Sequence, residues 1–284
     1  QLIAESTGKN GTGILPVEGE PPQPAAAYGD DRAFVYVRLR GDENDQADAL
    51  AQALAEHGQP LLVTQLDDVY DLGAEFFRWE MATAVAGLVL GINPFDQPNV
   101  EEAKDGARQA LSRYEETGAL DDTEPVLTEG QIAVYGEVAD VADATAYVRQ
   151  FLRQAQPGDY VAIMAYIDRN DEHWALLQRM RALVTEHLHV ASTMGFGPRF
   201  LHSTGQLHKG GKNNGLFIQI TQIDDTDLDI PGRGYTFGVL KSAQAAGDMA
   251  SLRQNGRRVI RLRVGSDVAA GLDHIVDLLE RALK

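Results

Sequence analysis

The chain has 284 residues, 42 acidic and 25 basic, for a formal charge of -17, and it has no cysteine. That length buries the core of one large domain or two modest ones, and the charge repels nucleic acid and anionic membranes with no basic stripe to offset it. The missing thiols exclude disulfides, thiolate metal sites and cysteine nucleophiles, and they fit a reducing cytosol.

The chain opens at Gln1 and runs straight into Leu2-Ile3-Ala4-Glu5. This reads as the end of an element already under way, so a longer protein is expected. Residues 6–31 carry Pro16, Pro21, Pro22 and Pro24 among glycines, which forbids a continuous helix and predicts an extended connector. A strand is expected over 33–39, a helix over 45–56 and a strand over 60–66. Residues 73–90 hold almost no turn residues, and Phe76, Phe77, Met81, Val85, Leu88 and Val89 fall at helical spacing, which predicts a largely buried helix. Another helix is expected over 100–116.

A second run of alternating elements follows. Strands are expected over 159–166, 187–192, 216–221 and 258–264, with helices over 171–186, 237–255 and from Asp267 onward. Strands alternating with helices predict an α/β protein with parallel sheets. The division expected is residues 1–120 as one unit and 121–284 as a second α/β lobe. No apolar run reaches the ~18 residues of a membrane span, and the N-terminus lacks a basic region followed by an apolar one. A cytoplasmic protein with no membrane partner is expected.

Two strings carry the chemistry: Glu5-Ser6-Thr7-Gly8-Lys9, and Asn93-Pro94-Phe95-Asp96-Gln97-Pro98-Asn99-Val100-Glu101-Glu102-Ala103-Lys104. Each sets ionisable groups among Gly, Asn, Pro and hydroxyl residues, the composition of loops that present side chains at the mouth of a fold. A carboxylate that moves a proton, beside a cation that steadies negative charge, is a minimal kit for enolisation next to a carbonyl. The bland reading makes Glu5 a helix-end residue beside a capping Ser-Thr pair. In the same reading, Asn93, Asp96 and Gln97 cap the following helix and Lys104 pairs with Glu101 one turn back.

These strings resemble two active-site motifs of glucose-6-phosphate isomerase. The later string 197–211, from Gly197-Pro198-Arg199-Phe200-Leu201-His202 to His208-Lys209-Gly210-Gly211, resembles the bifunctional transaldolase/glucose-6-phosphate isomerase type. The resemblance implies a sugar-isomerase (SIS-like) parallel α/β unit over residues 1–120, in its C-terminal half. It also implies conversion of glucose 6-phosphate to fructose 6-phosphate through a cis-enediol, with no metal or nucleotide cofactor. Glu5 would be the base, Lys104 the cation near the ring oxygen or enediolate, Gln97 a phosphate ligand at a helix head, and Gln1 a substrate contact on the face of Glu5. The implied partners are the sugar phosphate, an upstream sugar-isomerase domain, a transaldolase domain and further copies of the chain.

Single-function isomerases carry a ring-opening histidine in a Gly-Thr-Asn-Gly-Gln-His string after the glutamate motif, and residues 15–31 hold none here. His202 and His208 are the candidates to replace it. Gly205 to Lys212 is also tested as a glycine-rich anion loop, with Lys209 and Lys212 holding phosphate. His187 and His189 alternate on the strand expected there, without a third metal ligand in reach. A non-catalytic sugar-phosphate-binding or assembly module is the competing reading; a hydrolase is disfavoured because no Gly-x-Ser-x-Gly elbow occurs.

Overall fold

The computed structural model describes residues 1–120, 124–137 and 140–284. The boundary expected after residue 120 falls at residues 121–123, outside the described residues. The fold is α/β with two sheets, and the larger is mostly parallel.

The smaller sheet pairs β1 (Phe34–Leu39) with β2 (Leu61–Leu66) in parallel, Phe34 opposite Leu61 and Leu39 opposite Leu66. α2 (Asp45–Glu56) makes the crossover. It covers one face, where Leu54 packs with Ala25, Tyr28 and Phe34. Val35, Val37, Leu62 and Val63 are left exposed.

The larger sheet is built from β3 (Leu127–Glu129), β4 (Ile132–Tyr135), β5 (Tyr160–Tyr166), β6 (Ala191–Phe196), β7 (Gly215–Gln222) and β8 (Arg258–Val264), in the spatial order β3-β4-β8-β7-β5-β6. β5 to β8 run parallel, and the β3–β4 hairpin adds an antiparallel edge through β4 on β8. Every residue of β5 is buried, as a parallel strand covered on both faces requires. One face packs α5 (Ala144–Leu152), α6 (Asp171–Leu188) and α9 (Val268–Leu283), with Val161, Ile163, Ile218 and Leu262 meeting Val148, Leu177 and Ile275. The other carries α7 (Ser203–Gly210) and α8 (Phe237–Gln254), with Tyr160, Tyr166 and Phe217 meeting Phe200, Met249 and Leu252.

The two sheets are tied together by helices. α1 (Leu2–Thr7) packs on α7 and on α3 (Leu72–Leu90). α4 (Val100–Thr117) lies along α8, where Gly247 comes so close that an added Cβ would stand 2.5 Å from the Ala107 nitrogen and 2.7 Å from the Ala103 oxygen. Glu102 on α4 accepts hydrogen bonds from Asn255 Nδ2 (2.7 Å) and Ser251 Oγ (3.2 Å). The proline-rich connector is pinned rather than free. Buried Arg181 donates to the Glu18 and Ser192 carbonyls at 3.0 and 2.8 Å, and Glu20 accepts from Thr185 and Ser192, each at 2.9 Å.

Three expectations are corrected. The helix over 72–90 exists, but Phe76 (63% exposed), Leu88 (80%) and Val89 (79%) face outward, while Glu75, Thr83 and Gly87 are the buried residues. Apolar spacing marks a side that prefers cover; it does not say that this chain supplies the cover. His187 lies in the last turn of α6 and His189 caps it in a left-handed conformation, so the two do not alternate on a strand, and β6 begins only at Ala191. The stretch expected to be an anion loop is the helix α7, buried along most of its length. Its flanking glycines suggested a loop, although they serve as close-packing positions.

Candidate active site

The two strings meet. Lys9, itself buried, donates to the Asp96 carbonyl and to Asp96 Oδ1 at 2.9 Å. Lys9 and the Asn93 amide hold the Asp96 carboxyl below the usual carboxylate range. A second tie comes from α7. Gln206, fully buried, donates from Nε2 to the Gly8 carbonyl and to Asn99 Oδ1, each at 2.8 Å, and its Oε1 accepts the Asn99 N–H at 2.8 Å. One amide therefore satisfies both segments, and the third string is the bracket for the other two. Nothing in the spacing of the strings revealed this, because Gln206 stands among other polar residues on α7 and its burial is set by the packing of the helix.

The glycines follow from the same contact. A Cβ on Gly8 would overlap the Cα of Leu207 and stand 2.7 Å from the Ala4 oxygen, and one on Gly210 would stand 2.6 Å from Gln206 Nε2. Gly8→Ala is expected to cost about 1–3 kcal/mol through overpacking, measured by urea denaturation. A loss below ~0.5 kcal/mol, the range of a neutral surface substitution, would show that α1 and α7 do not approach this closely.

Glu5 lies inside α1, half-buried, and its carboxylate has no side-chain partner among the described residues. Its N–H donates to the Gln1 carbonyl at 3.0 Å, so Gln1 and Glu5 are successive turns of one helix face. Gln1 lines a cleft of about 40 Å³ with Glu18, Thr193, Arg199 and Thr204. That volume holds water rather than a sugar phosphate. Gln97 is exposed in the loop before α4, two residues ahead of the N-cap Asn99. Lys104, one turn inside α4, pairs with Glu101 at 2.7 Å, as the bland reading anticipated.

The histidines separate sharply. His202 is exposed at the head of α7. His208 is enclosed by Phe217 (4.9 Å between ring centres), Phe200 (5.8 Å) and Tyr160 (6.2 Å), with neither ring nitrogen hydrogen-bonded among the described residues. Burial, with Lys209 and Arg257 nearby, pushes its pKa down to about 3. A neutral imidazole enclosed in this way suits core packing. Lys209, expected to bind phosphate, is also buried; its Nζ pairs with Asp248 at 2.5 Å and donates to the Phe200 carbonyl at 3.0 Å.

The chain is similar to glucose-6-phosphate isomerases over part of its length. The enzyme of Leptospira biflexa is 29% identical over 149 aligned residues, 40% of this chain and 33% of that protein, and that of Symbiobacterium thermophilum is 30% identical over the same shares. The Limosilactobacillus reuteri enzyme is 35% identical over 95 residues, 32% of this chain and 20% of its own. The chain thus spans about a third of the length of the curated relatives it matches. No family model matches it. A hypothetical protein from Thermus thermophilus superposes on 99% of the chain and 74% of its own length with a TM-score of 0.43 at 15% identity, too remote for any argument. What stands is distant, partial homology to a sugar-phosphate isomerase.

Proposed function

We propose that the chain is the C-terminal portion of a glucose-6-phosphate isomerase of the transaldolase-fused type, with residues 1–120 forming the second half of an SIS-like unit and the remainder a supporting lobe. The observation that carries this reading is the junction of the two motif strings through Lys9–Asp96 and Gln206, which brings the segments bearing Glu5 and Lys104 into one structure.

In this reading the Glu5 carboxylate takes the C2 proton of open-chain glucose 6-phosphate while the C1 carbonyl oxygen gains a proton, which gives the cis-enediol. The carboxylic acid then returns its proton to C1 and the 2-hydroxyl gives up its own, leaving the ketose. A half-buried carboxylate with no side-chain partner among the described residues is available for that exchange. Lys104 turns from Glu101 to the developing enediolate at little cost, because an exposed ion pair of this kind is worth at most ~1 kcal/mol. Gln97 and the unpaired N–H groups at the head of α4 hold the phosphate. Gln1 holds a sugar hydroxyl, and His202, the exposed one of the two histidines, opens the ring.

The outward apolar face of α3 and the open face of the β1–β2 sheet fit this reading, since parallel strands are normally covered on both faces. An upstream sugar-isomerase domain packs there and completes a substrate pocket that the small cleft beside Gln1 does not provide. A non-catalytic assembly module would use the same apolar face without using Glu5. The discriminating experiment joins the chain to the upstream domain and compares it with its Glu5→Gln variant. The isomerase reading expects at least a ~100-fold fall in kcat with little change in KM, and solvent deuterium at C1 of the fructose 6-phosphate formed by the parent enzyme. Normal turnover by the variant would remove Glu5 from the chemistry.

A further inference from the structure

A cavity far larger than the cleft beside Gln1 lies elsewhere, at the edge of the six-stranded sheet that holds the N-terminal end of β8. It encloses about 510 Å³, within the range of small-molecule sites, and is lined by Gly136, Glu137, Tyr147, Gln150, Phe151, Gln154, Arg253 and the stretch from Gly256 to Ile260. Its walls come from four places: the two residues after β4, α5 and the residues just after it, the C-terminal end of α8, and the start of β8. Among the described residues β4 pairs with β8 only from Arg261 to Arg263, so the cavity opens where the hairpin leaves β8.

The charge here inverts that of the protein. In a chain of net charge -17, three arginines, Arg253, Arg257 and Arg258, line one cavity against a single lining carboxylate among the described residues, Glu137. Arg258 is partly committed, donating to Asp159 Oδ2 and the Gln154 carbonyl, each at 2.9 Å. Arg257 gives Nη2 to the Lys209 and Gly211 carbonyls, while its Nε is buried without a partner among the described residues. The Arg253 side chain, exposed on the last turn of α8, makes no hydrogen bond or ion pair with any described residue. Burial holds the Arg257 guanidinium below its usual pKa range, the direction a bound anion would reverse. The same cavity is lined by Tyr147 and Phe151 and by Gln150 and Gln154, which add aromatic surface and hydroxyl-matching amides.

We propose that this cavity binds a small organic phosphomonoester, with the phosphate between Arg253 and Arg257 and the organic part against Tyr147, Phe151 and the two glutamines. Guanidinium forks match phosphate oxygens in pairs. The site is separate from the Glu5 and Lys104 segments and does not depend on the isomerase reading.

The test is titration calorimetry of the chain with inorganic phosphate, glucose 6-phosphate and adenosine monophosphate, at low ionic strength. The sugar phosphate or the nucleotide should bind at least ~10-fold more tightly than inorganic phosphate, and whichever does so identifies the organic part. Arg253→Glu should weaken that binding at least ~10-fold while keeping the circular dichroism and melting temperature of the parent, because the Arg253 side chain is exposed and pairs with none of the described residues. Lys104→Met should leave it unchanged. Binding lost in Lys104→Met and kept in Arg253→Glu would place the ligand at the motif segments and overturn the proposal. So would equal affinity for all three probes, or no binding at millimolar concentration. If Arg253→Glu misfolds, Gln150→Ala replaces it, with the same loss required of the organic ligand and none of inorganic phosphate.

Discussion

Asp248→Ala is expected to destabilise the fold by about 3–5 kcal/mol, because it leaves the Lys209 ammonium buried with only the Phe200 carbonyl for company. Both side chains of the pair are fully buried, and Asp248 Oδ2 has no hydrogen bond among the described residues, although Tyr166 approaches it. Burial pushes the Asp248 carboxyl up while Lys209 pulls it down, so desolvation and attraction oppose each other across one 2.5 Å contact. The pair is therefore costly to break and not necessarily costly to replace. The double variant Lys209→Met with Asp248→Leu should recover most of the loss. Urea denaturation of the two single variants and the double variant measures this. A single-variant loss below ~1 kcal/mol, the worth of an exposed ion pair, would mean that water reaches Lys209 and would reopen its expected role in phosphate binding.

That pair also shows where reading the sequence stops. Helical periodicity located α2 and α4, and short strongly apolar or β-branched runs located β5 and β8, almost to the residue. The β3–β4 hairpin and α5 went unread, since strands of three and four residues carry too little pattern. β6 was placed too early because the histidines before it mimic alternation. The motif strings were legible as chemistry, yet their junction was not. Gln206 lies 107 residues from Asn99 and 198 from Gly8, and no local pattern encodes a contact of that separation. Lys209 and His208 looked functional by residue type, whereas burial decides what they do. The arginine cavity was missed for a related reason: Arg253 ends a helix and Arg257 and Arg258 begin a strand, so each reads locally as ordinary punctuation.

His208 gives the second large effect, through pH. Its folded pKa of about 3 lies below the ordinary 6.5 because the charged ring would be buried among Tyr160, Phe200 and Phe217, near Lys209 and Arg257. The unfolded chain therefore binds a proton that the folded chain does not. The stability contributed by this depressed pKa is fully present above pH 6.5 and is lost as pH falls toward 3, at about 1.4 kcal/mol per pH unit. Between pH 7.5 and pH 5.0, before most carboxylates titrate, the expected loss is about 2 kcal/mol. His208→Phe keeps a ring in the aromatic enclosure and has nothing to protonate, so its stability should change far less over that interval. Urea midpoints of parent and variant at the two pH values decide the matter. If the variant loses as much as the parent, another group takes up the proton and His208 is not the enclosed neutral ring described here. If the variant is flat, His208 stays neutral throughout the working range, and the group that opens a cyclic sugar has to be sought at His202 or outside this chain.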